Sequence, residues 1–590
     1  MTASNSRIRD LTDGLHLLKQ ILIRYRGVAT VSILGAVVWM AAVVAIPYFV
    51  GAIVDVAVGE RDSSKVWPFL VALLIAGAIQ AIGISIRRYF GFRFSYRAEA
   101  DLRNKIFTHI QRLEFSFHDV TSTGELMARA SSDLSQLRII LAMLPITIAN
   151  LMMFTVVTIV LVVIDPVLGG VAALMIPALL LTSARYATRV VGYSFGIQRA
   201  LSELSHVVEE SVTGIEVVKS YGQEDQQHGK LDVTAYSIYR EAMGLARERA
   251  VHRPLFEIIP ALGTVAVLAV GGIRVVDGAL TLGEFVAFTQ YLAVMVLPLM
   301  ITGWFFANLP RSAAAATRID ALLVTDPEIE ESPDAVKLNE GAGEIVFRDV
   351  SFSYPDGTEV LSDVNLVIPG GTSVGLVGAT GSGKTTMGHL IPRFYDVSAG
   401  SVSIDGVDVR MVGLDELRNE VAVVFQESFL FSASVADNIR VGDPMATDQQ
   451  VRAAARLSKA HDFICEMPDG YETVVGERGA TLSGGQRQRI SLARGVVRDP
   501  RVLILDDATS SVDAIVESEI QAALRQVMAG RTTVIIAHRT STLALVDNVA
   551  FIEDGAIVAF GPHEDLLRDI PRYGEVLAAT GGDAADQVTA

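Results

Sequence analysis

Ser373-Val-Gly-Leu-Val-Gly-Ala-Thr-Gly-Ser-Gly-Lys-Thr385 is the stretch that decides the fold of the second half of the chain. Residues 373–377 predict a buried strand, and this strand runs straight into a glycine-rich loop. Glycines let backbone N–H groups turn inward around phosphate oxygens, and the helix that follows presents its positive end to the same anion. The loop therefore predicts a nucleotide site in which Lys384 reaches the β- and γ-phosphates and the Thr385 hydroxyl ligates Mg²⁺.

Two further apolar runs end in groups that suit the same chemistry. Residues 502–505 are Val-Leu-Ile-Leu, and they are followed by Asp506 and Asp507. A carboxylate at the end of a buried strand beside a phosphate loop suits a role in holding Mg²⁺, which we assign to Asp506. Asp507 is then expected to orient or deprotonate the attacking water. His538 ends the run 533–537 and could contact the γ-phosphate, although a histidine taken alone in that setting is more often a core residue.

A second anion-binding helix start occurs at Leu482-Ser-Gly-Gly-Gln486. It offers the hydroxyl of Ser483 and the backbone N–H groups of Gly484 and Gly485 ahead of a predicted helix. One ATP needs only one glycine-rich cradle. The second cradle therefore predicts that ATP is held between two copies of the domain.

The first half of the chain has a different composition from the second. It contains six uncharged stretches, most of them longer than the roughly 20 residues that cross a bilayer. These stretches are residues 28–54, 66–86, 139–164, 166–184, 258–273 and 285–310. The fifth is short and is expected to extend backwards past Glu257. Buried helices of a soluble protein would not explain so many runs in one half, so we predict six membrane-spanning helices.

The connections between these stretches are very unequal in length. Asp165 is nearly the whole link between the third and fourth, whereas long segments with helical periodicity follow the second and the fourth. The long segments carry arginines close to the apolar runs, namely Arg87, Arg88, Arg93, Arg97, Arg185 and Arg189. Positive charge near a span marks the cytoplasmic side, which places both long segments and both termini there. We expect helical extensions with short cross-pieces at residues 115–123 and 212–218, each close to a Thr-Gly pair.

Composition and charge exclude several classes of protein. The net charge of −17 argues against a nucleic-acid partner, which would favour a basic face. The single cysteine, Cys465, excludes an intramolecular disulfide framework, and we expect it to be a small packed side chain. The polar N-terminus leads into an apolar run longer than a signal peptide needs, which indicates that no targeting segment is cleaved.

The predicted architecture is an α-helical membrane domain, with six transmembrane helices and long cytoplasmic extensions, followed by an α/β P-loop ATPase domain. The predicted segments are an N-terminal cytoplasmic part with an interfacial helix (1–27), the membrane domain (28–320), an acidic linker (321–343), the nucleotide-binding domain (344–577) and a disordered tail (578–590).

With these motifs together, the chain resembles an ABC transporter half-unit of the exporter type, and the likeness extends from about residue 15 to 575. The resemblance implies that Tyr354 stacks on adenine, that Gln426 touches Mg²⁺ and senses the γ-phosphate, and that His538 is the switch histidine. It also implies that residues 476–479 relay motion, that residues 510–513 communicate across the nucleotide interface, and that the two cross-pieces are coupling helices. The ATP-binding residues carried over from the family are Tyr354, Gly378, Ala379, Thr380, Gly381, Ser382, Gly383, Lys384, Thr385, Thr386, Ser483, Gly484, Gly485 and Gln486. Those assigned to Mg²⁺ are Thr385, Gln426 and Asp506, and those assigned to catalysis are Asp507, His538 and Gln426.

Asp507 departs from the family pattern, in which the catalytic base is usually glutamate. Aspartate has one methylene less, and a carboxylate withdrawn by about 1–1.5 Å can cost about 10²-fold in rate. Either the backbone compensates, or the site binds ATP and turns it over slowly. The second pattern resembles one half of an asymmetric heterodimer, which we favour over a homodimer.

The expected function is ATP-driven export or flipping of a hydrophobic drug or a lipid across a bacterial plasma membrane. Import on the exporter fold and a regulatory ATP-gated subunit are the alternatives. Met152, Met153, Phe154, Trp304, Phe305 and Phe306 could line a weakly charged cavity, or they could pack against other helices.

Overall fold

A computed structural model describes residues 14, 16–60, 64–476, 479, 481–507, 514–537 and 539–581. The chain forms two compact units: Met1–Arg112 with Ser122–Asp326, and Leu113–Thr121 with Pro327–Ala590. The first unit is helical and the second is mixed α/β.

In the described part of the first unit, six helices are long and apolar enough to cross a membrane, in agreement with the six predicted spans. The helices of this half, with the short cross-pieces, are α1 (Arg26–Val54), α2 (Val66–Ile110), α3 (Phe115–Val120), α4 (Thr123–Ala128), α5 (Leu134–Ile164), α6 (Pro166–Thr213), α7 (Ile215–Ser220), α8 (Glu224–Val276) and α9 (Leu282–Val324). Of these, α2, α6 and α8 have 45, 48 and 53 residues. At about 1.5 Å per residue they are more than twice as long as a hydrocarbon core of about 30 Å, so they extend well beyond a membrane.

The cross-pieces lie close to their predicted positions. α3 ends at Val120, and Ser122 then caps α4 by accepting a hydrogen bond from the Glu125 N–H. The second break falls at Gly214, so the short helix is α7 rather than residues 212–218. The prediction started too early because α6 continues through Thr213, up to the glycine that interrupts it.

Two aspartates tie the short connections of the first unit. Asp165 accepts hydrogen bonds from the N–H groups of Val167 and Leu168 and forms an ion pair of 2.5 Å with Arg274 at the end of α8. Asp55 accepts bonds from the Thr281 hydroxyl (2.7 Å) and the Gly283 N–H (2.6 Å) at the start of α9. A Cβ on Gly283 would lie 2.0 Å from the carbonyl oxygen of Gly51, so only glycine allows this approach of α9 to α1. Both connections are therefore held by charge-assisted hydrogen bonds.

The core of the first unit is apolar and contains a buried amide. Met153, Phe154 and Phe288 belong to a cluster contributed by α1, α5, α6, α8 and α9. Asn150 of α5 donates to the Pro298 carbonyl and to the Thr302 hydroxyl of α9, both at 3.3 Å. This pairing between helices satisfies a side-chain N–H₂ that would be costly to bury alone.

The described strands of the second unit form two sheets. One has the order β2-β1-β4-β5, and the other has the order β10-β9-β3-β8-β7-β6. The strands are β1 (Ile345–Ser353), β2 (Glu359–Ile368), β3 (Ser373–Val377), β4 (Ala399–Ile404), β5 (Val407–Asp408), β6 (Val421–Val424), β7 (Val502–Asp506), β8 (Thr532–Ile536), β9 (Asn548–Glu553) and β10 (Ala556–Gly561). The helices are α10 (Lys384–Leu390), α11 (Leu414–Glu420), α12 (Val435–Arg440), α13 (Asp448–Leu457), α14 (His461–Glu466), α15 (Gly484–Val496), α16 (Ala514–Met528), α17 (Thr540–Leu543), α18 (His563–Asp569) and α19 (Pro571–Gly581).

The central strands β3, β7 and β8 of the six-stranded sheet are buried on both faces. In β7, Val502 and Ile504 join a cluster with the four-stranded sheet and α10, whereas Leu503 and Leu505 join a cluster built by helices α12–α16. Because β3, β8, β7 and β6 are parallel, their carboxyl ends meet at one edge. Ligands of such sheets bind at this edge.

The structure corrects the sequence analysis at several boundaries. α9 continues to Val324, inside the predicted linker, and α19 runs to Gly581, so residues 578–581 of the predicted tail are helical. Residues 582–590 lie outside the described residues. Residues 16–24 are helical as predicted, and Leu17, Leu18 and Ile21 are buried. Cys465 is exposed rather than packed, because α14 turns it toward solvent.

Candidate functional site

The glycine-rich loop lies between β3 and α10 and has the shape of a cradle. Gly381 and Gly383 have φ values of +84° and +98°, which L side chains rarely adopt. The ammonium of Lys384 folds back into the loop and donates to the carbonyls of Gly378 (2.9 Å) and Ala379 (2.8 Å). Burial lowers the pKa of Lys384, and the charges of Asp506 and Asp507 oppose this shift. A buried ammonium in a glycine loop is chemically suited to phosphate oxygens.

Asp506 ends β7 and lies within hydrogen-bond reach of the Thr385 hydroxyl. Burial, together with the charge of Asp507, raises the pKa of Asp506 from 3.8 to about 6, while Lys384 and Thr385 act in the opposite direction. The carboxylate and the hydroxyl thus form a pair of oxygen ligands beside the loop. A hard cation such as Mg²⁺ prefers such oxygens and takes its other ligands from phosphates and water.

Asp507 has a backbone conformation that is unusual for a residue with a side chain. Its φ is +42°, and its N–H donates to the Ile536 carbonyl at 3.1 Å. The Nε2 atom of Gln426 lies 3.3 Å from its carboxylate oxygen Oδ2. The structure therefore brings Lys384, Asp506, Asp507 and Gln426 to the carboxyl edge of the parallel strands.

Tyr354 lies beside the same helix. Its hydroxyl is 3.1 Å from the Thr386 hydroxyl, and its ring meets the rings of Phe352 and Tyr395 edge to face. The stacking on adenine implied by the resemblance stays a prediction.

The segment around Ser483 begins α15 with a capping box. The Gln486 N–H donates to the Ser483 hydroxyl at 3.3 Å, and the Ser483 N–H donates to Gln486 Oε1 at 2.9 Å. Ser483 is exposed, and the N–H groups of Gly484 and Gly485 begin the helix. This exposed helix start can accept an anion from another molecule.

Several predicted site residues lie outside the described residues: His538, residues 477–478 and residues 510–513. Among the described residues, no cluster of three or more His, Cys, Asp or Glu could hold a metal ion. The donor set of one hydroxyl and one carboxylate fits Mg²⁺ that arrives with ATP.

The cross-piece α3 lies in the same compact unit as the nucleotide loop. The ring of Phe115 stacks on Phe394 with centroids 4.4 Å apart, and the Tyr395 hydroxyl donates to the carboxylate of Asp119. Burial raises the pKa of Tyr395, and the hydrogen bond to Asp119 raises it further. The sequence identified α3 but not its partners, which follow α10 directly.

The first unit contains a cavity of about 870 Å³. Trp304 lines it as predicted, but Met153, Phe154 and Phe305 are buried in helix packing instead. Arg87, Arg88 and Arg311 also line the cavity, so the cavity is basic and not weakly charged as expected.

Comparison with known proteins gives the class. The model for the ABC transporter transmembrane region matches residues 30–299, and that for the ABC transporter ATPase, described as "ABC transporter", matches residues 361–510. The chain belongs to the ABC transporter family.

Its similar relatives include exporters and flippases. It is 38% identical over 472 residues to an ATP-dependent lipid A-core flippase of Desulfotalea psychrophila, covering 79% of this chain and 82% of that protein. It is 35% identical over 547 residues to a multidrug efflux ATP-binding/permease protein of Mycobacterium bovis, covering 93% of this chain but only 46% of that protein. The chain thus spans about half of that relative. A solved structure of a bacterial Atm1-family ABC exporter with ATP bound matches with a TM-score of 0.78 and 27% identity, covering 96% of this chain and 99% of that one.

Proposed function

We propose that the chain is one half of an ATP-driven exporter or flippase. The observation that carries the proposal is the convergence of Lys384, Thr385, Asp506, Asp507 and Gln426 at one sheet edge, in a chain with six membrane-spanning helices. A second, exposed anion-binding helix start at Ser483 supports ATP held between two ATPase domains. ATP would bind the closed arrangement of the two domains more tightly than the open one. This difference in affinity would shift the membrane helices toward the conformation that goes with closure.

The roles of the side chains follow from their chemistry. Lys384 would hold the β- and γ-phosphates, and Thr385 with Asp506 would hold Mg²⁺, directly or through water. Asp507 would orient the attacking water, and Gln426 would position it and sense the γ-phosphate. When bound by Thr385 and Asp506, Mg²⁺ would supply positive charge against the charge that develops on the transferred phosphoryl group.

The short side chain of Asp507 supports a slow site and a heterodimer. A glutamate at this position would extend its carboxylate by about 1–1.5 Å toward the nucleotide, and a difference of this size can change the rate about 10²-fold. A partner that carries the glutamate would then supply the faster site. A homodimer of this chain is the alternative.

The substrate class that we propose is a hydrophobic drug or a lipid, and the location is a bacterial plasma membrane with both termini in the cytoplasm. The named activities of the relatives and the cavity of about 870 Å³ support the substrate class. A regulatory, ATP-gated role is favoured only by Asp507. ATP-dependent accumulation of substrate in inside-out vesicles would separate transport from regulation, and its direction would separate export from import.

The decisive experiment compares steady-state Mg-ATPase activity of the purified chain with that of Asp507→Glu, both reconstituted in lipid. We expect ATP to bind equally to both, and kcat to rise about 10- to 100-fold in the glutamate variant. Asp507→Asn, which keeps the shape but removes the charge, is the matched control and should be inactive. Fast turnover by the unmodified chain would remove the case for asymmetry, and absence of ATP binding would contradict the nucleotide site itself.

A further inference from the structure

The cavity in the membrane unit is apolar along one part and strongly basic along another. Its apolar lining includes Met143, Ile146, Phe256, Met300 and Trp304. Its basic lining is contributed by Arg87 and Arg88 of α2 and by Arg311 of α9. Among its lining residues there is no aspartate or glutamate.

The arginines that line the cavity face no carboxylate there, whereas several other arginines of this unit form ion pairs. Elsewhere in the described part of this unit, arginines of α2, α5, α6, α8 and α9 form ion pairs: Arg103 and Arg138 with Glu99, Arg189 with Glu248, Arg274 with Asp165, and Arg318 with Asp133. Nε of Arg87 and Nη2 of Arg311 are buried without a hydrogen-bond acceptor in the described structure, and no acidic residue lines the cavity beside them. The Nε atoms of Arg138 and Arg274 also lack a hydrogen bond, but each faces a carboxylate in an ion pair, at 2.9 and 2.5 Å respectively. A buried N–H of a charged group without an acceptor is costly, so Nε of Arg87 and Nη2 of Arg311 are suited to an anion that enters the cavity.

Aromatic rings hold two of these guanidinium groups in place. The guanidinium of Arg311 lies over the ring of Phe195, and that of Arg87 lies 5.6 Å from the ring centroid of Trp39. Such contacts orient a guanidinium while leaving N–H groups for another partner. Arginines that merely reach for the membrane surface would instead present these atoms to water.

The positions of the arginines match the geometry of an amphiphile. Arg87 follows the uncharged run that ends at Ile86, and Arg311 follows the run that ends at Pro310. The basic end of the cavity therefore lies at the boundary of the predicted hydrocarbon region. An acidic headgroup bound there would leave its apolar tail against Met143, Met300 and the rest of the apolar lining.

We propose that this cavity binds an anionic amphiphile, in which a phosphate or carboxylate headgroup pairs with Arg87, Arg88 and Arg311. This inference rests on the proposed transport function and narrows its substrate class. Guanidinium groups bind such planar or tetrahedral oxyanions through paired hydrogen bonds.

The test is a binding measurement without nucleotide, using the full chain in detergent micelles. Brominated phosphatidylglycerol and brominated phosphatidylcholine with identical acyl chains quench tryptophan fluorescence at short range. A Trp67→Phe background removes the exposed Trp67 and leaves Trp304 in the cavity and Trp39 beside Arg87. The variant Arg87→Gln/Arg311→Gln is compared with Arg93→Gln/Arg97→Gln, which removes the same charge from exposed positions of α2 outside the cavity.

We expect phosphatidylglycerol to bind about tenfold more tightly than phosphatidylcholine, and the cavity variant to lose this difference. The control variant should keep it, and Arg87→Lys/Arg311→Lys should restore part of it. Equal affinity for both lipids, or an equal loss in the control variant, would overturn the proposal. ATP binding by every variant is measured in parallel, so a failed nucleotide site is distinguished from a wrong substrate class.

A competition arm identifies the source of the headgroup. Displacement by dodecyl phosphate would support a single-chain anionic amphiphile, and resistance to it would support a two-chain anionic lipid. Displacement by inorganic phosphate alone at equal concentration would overturn the need for an apolar tail.

Discussion

Asp506 and Asp507 are adjacent carboxylates with different environments. Asp506 ends a buried strand next to Thr385, whereas Asp507 has already turned into a left-handed conformation and meets Gln426. The raised pKa of Asp506 means that the folded protein without metal holds its charged form unfavourably. A bound cation would remove this unfavourable energy, and the site would therefore favour cation binding.

Replacing Asp506 by asparagine is therefore expected to stabilise the protein in the absence of Mg²⁺ and nucleotide. The folded pKa of about 6 lies above the ordinary value of 3.8. The destabilising effect of the Asp506 charge is absent below pH 3.8, the pKa of the unfolded chain. It grows as the pH rises toward the folded pKa of about 6 and is complete above it. At neutral pH we expect Asp506→Asn to raise the free energy of unfolding by about 1–2 kcal/mol while Mg-dependent ATPase activity is lost.

Thermal unfolding of the nucleotide-free protein as a function of pH measures this effect. The gain should shrink as the pH falls toward the ordinary pKa of aspartate. Asp415→Asn, at an exposed position of α11, is the control and should give no such gain. A gain independent of pH would show that the charge of Asp506 is not its origin.

Sequence patterns located these residues but not their contacts. The glycine loop and the apolar runs predict which strand each group ends, because a parallel sheet gathers its carboxyl ends. The hydrogen bonds of Tyr354 with Thr386 and of Lys384 with the loop carbonyls depend on side-chain geometry, which no local pattern encodes.

At the scale of elements, α3 is the cross-piece that contacts the segment after the phosphate-loop helix, and we predict that it couples the ATPase site to the membrane helices. Its stacked pair of Phe115 and Phe394 lies directly after the helix that begins at the phosphate loop. Phe115 is 38% exposed, so the contact adds little to the core of the unit.

We expect Phe115→Ala to leave basal ATPase activity within about twofold and to lower ATP-dependent transport about tenfold, because an aromatic contact of this kind is worth roughly 0.5–1.5 kcal/mol beyond its buried area. Vesicle transport and ATPase assays on the same preparation measure the two quantities. Phe117→Ala on the same helix is the matched control, since in the described structure the ring of Phe117 contacts that of His118 and does not stack on Phe394. Equal losses in both variants would show that α3 acts through its own stability instead.

The full lengths of the long helices could not be predicted from the apolar runs alone. Apolar runs mark only the part of α2, α6 and α8 that suits lipid, because their extensions are charged and amphipathic. The shift of the second cross-piece to α7 has a local cause, since Gly214 and not the preceding apolar residues ends α6.

At the scale of the whole molecule, the predicted orientation across the membrane rests on the arginines near the apolar runs. The lone cysteine provides a direct reporter of this arrangement, because Cys465 is exposed in the ATPase unit. We expect a membrane-impermeant maleimide to label Cys465 in inside-out vesicles and not in intact cells.

A matched variant should behave in the opposite way. Asp277→Cys in a Cys465→Ser background places the thiol in the exposed turn between α8 and α9, which the charge rule assigns to the other side. Labelling of both positions from the same side would contradict the predicted orientation.

The ties made by Asp165 and Asp55 have a mechanical consequence. They fix one end of helices that are up to about 70–80 Å long. A small rotation at the fixed end therefore moves the opposite end of the helix by a large distance. A tilt of about five degrees about such a pivot displaces the opposite tip by roughly 6–7 Å, more than one helical turn. Small strains at the tied ends of these helices can therefore become large displacements at their opposite ends.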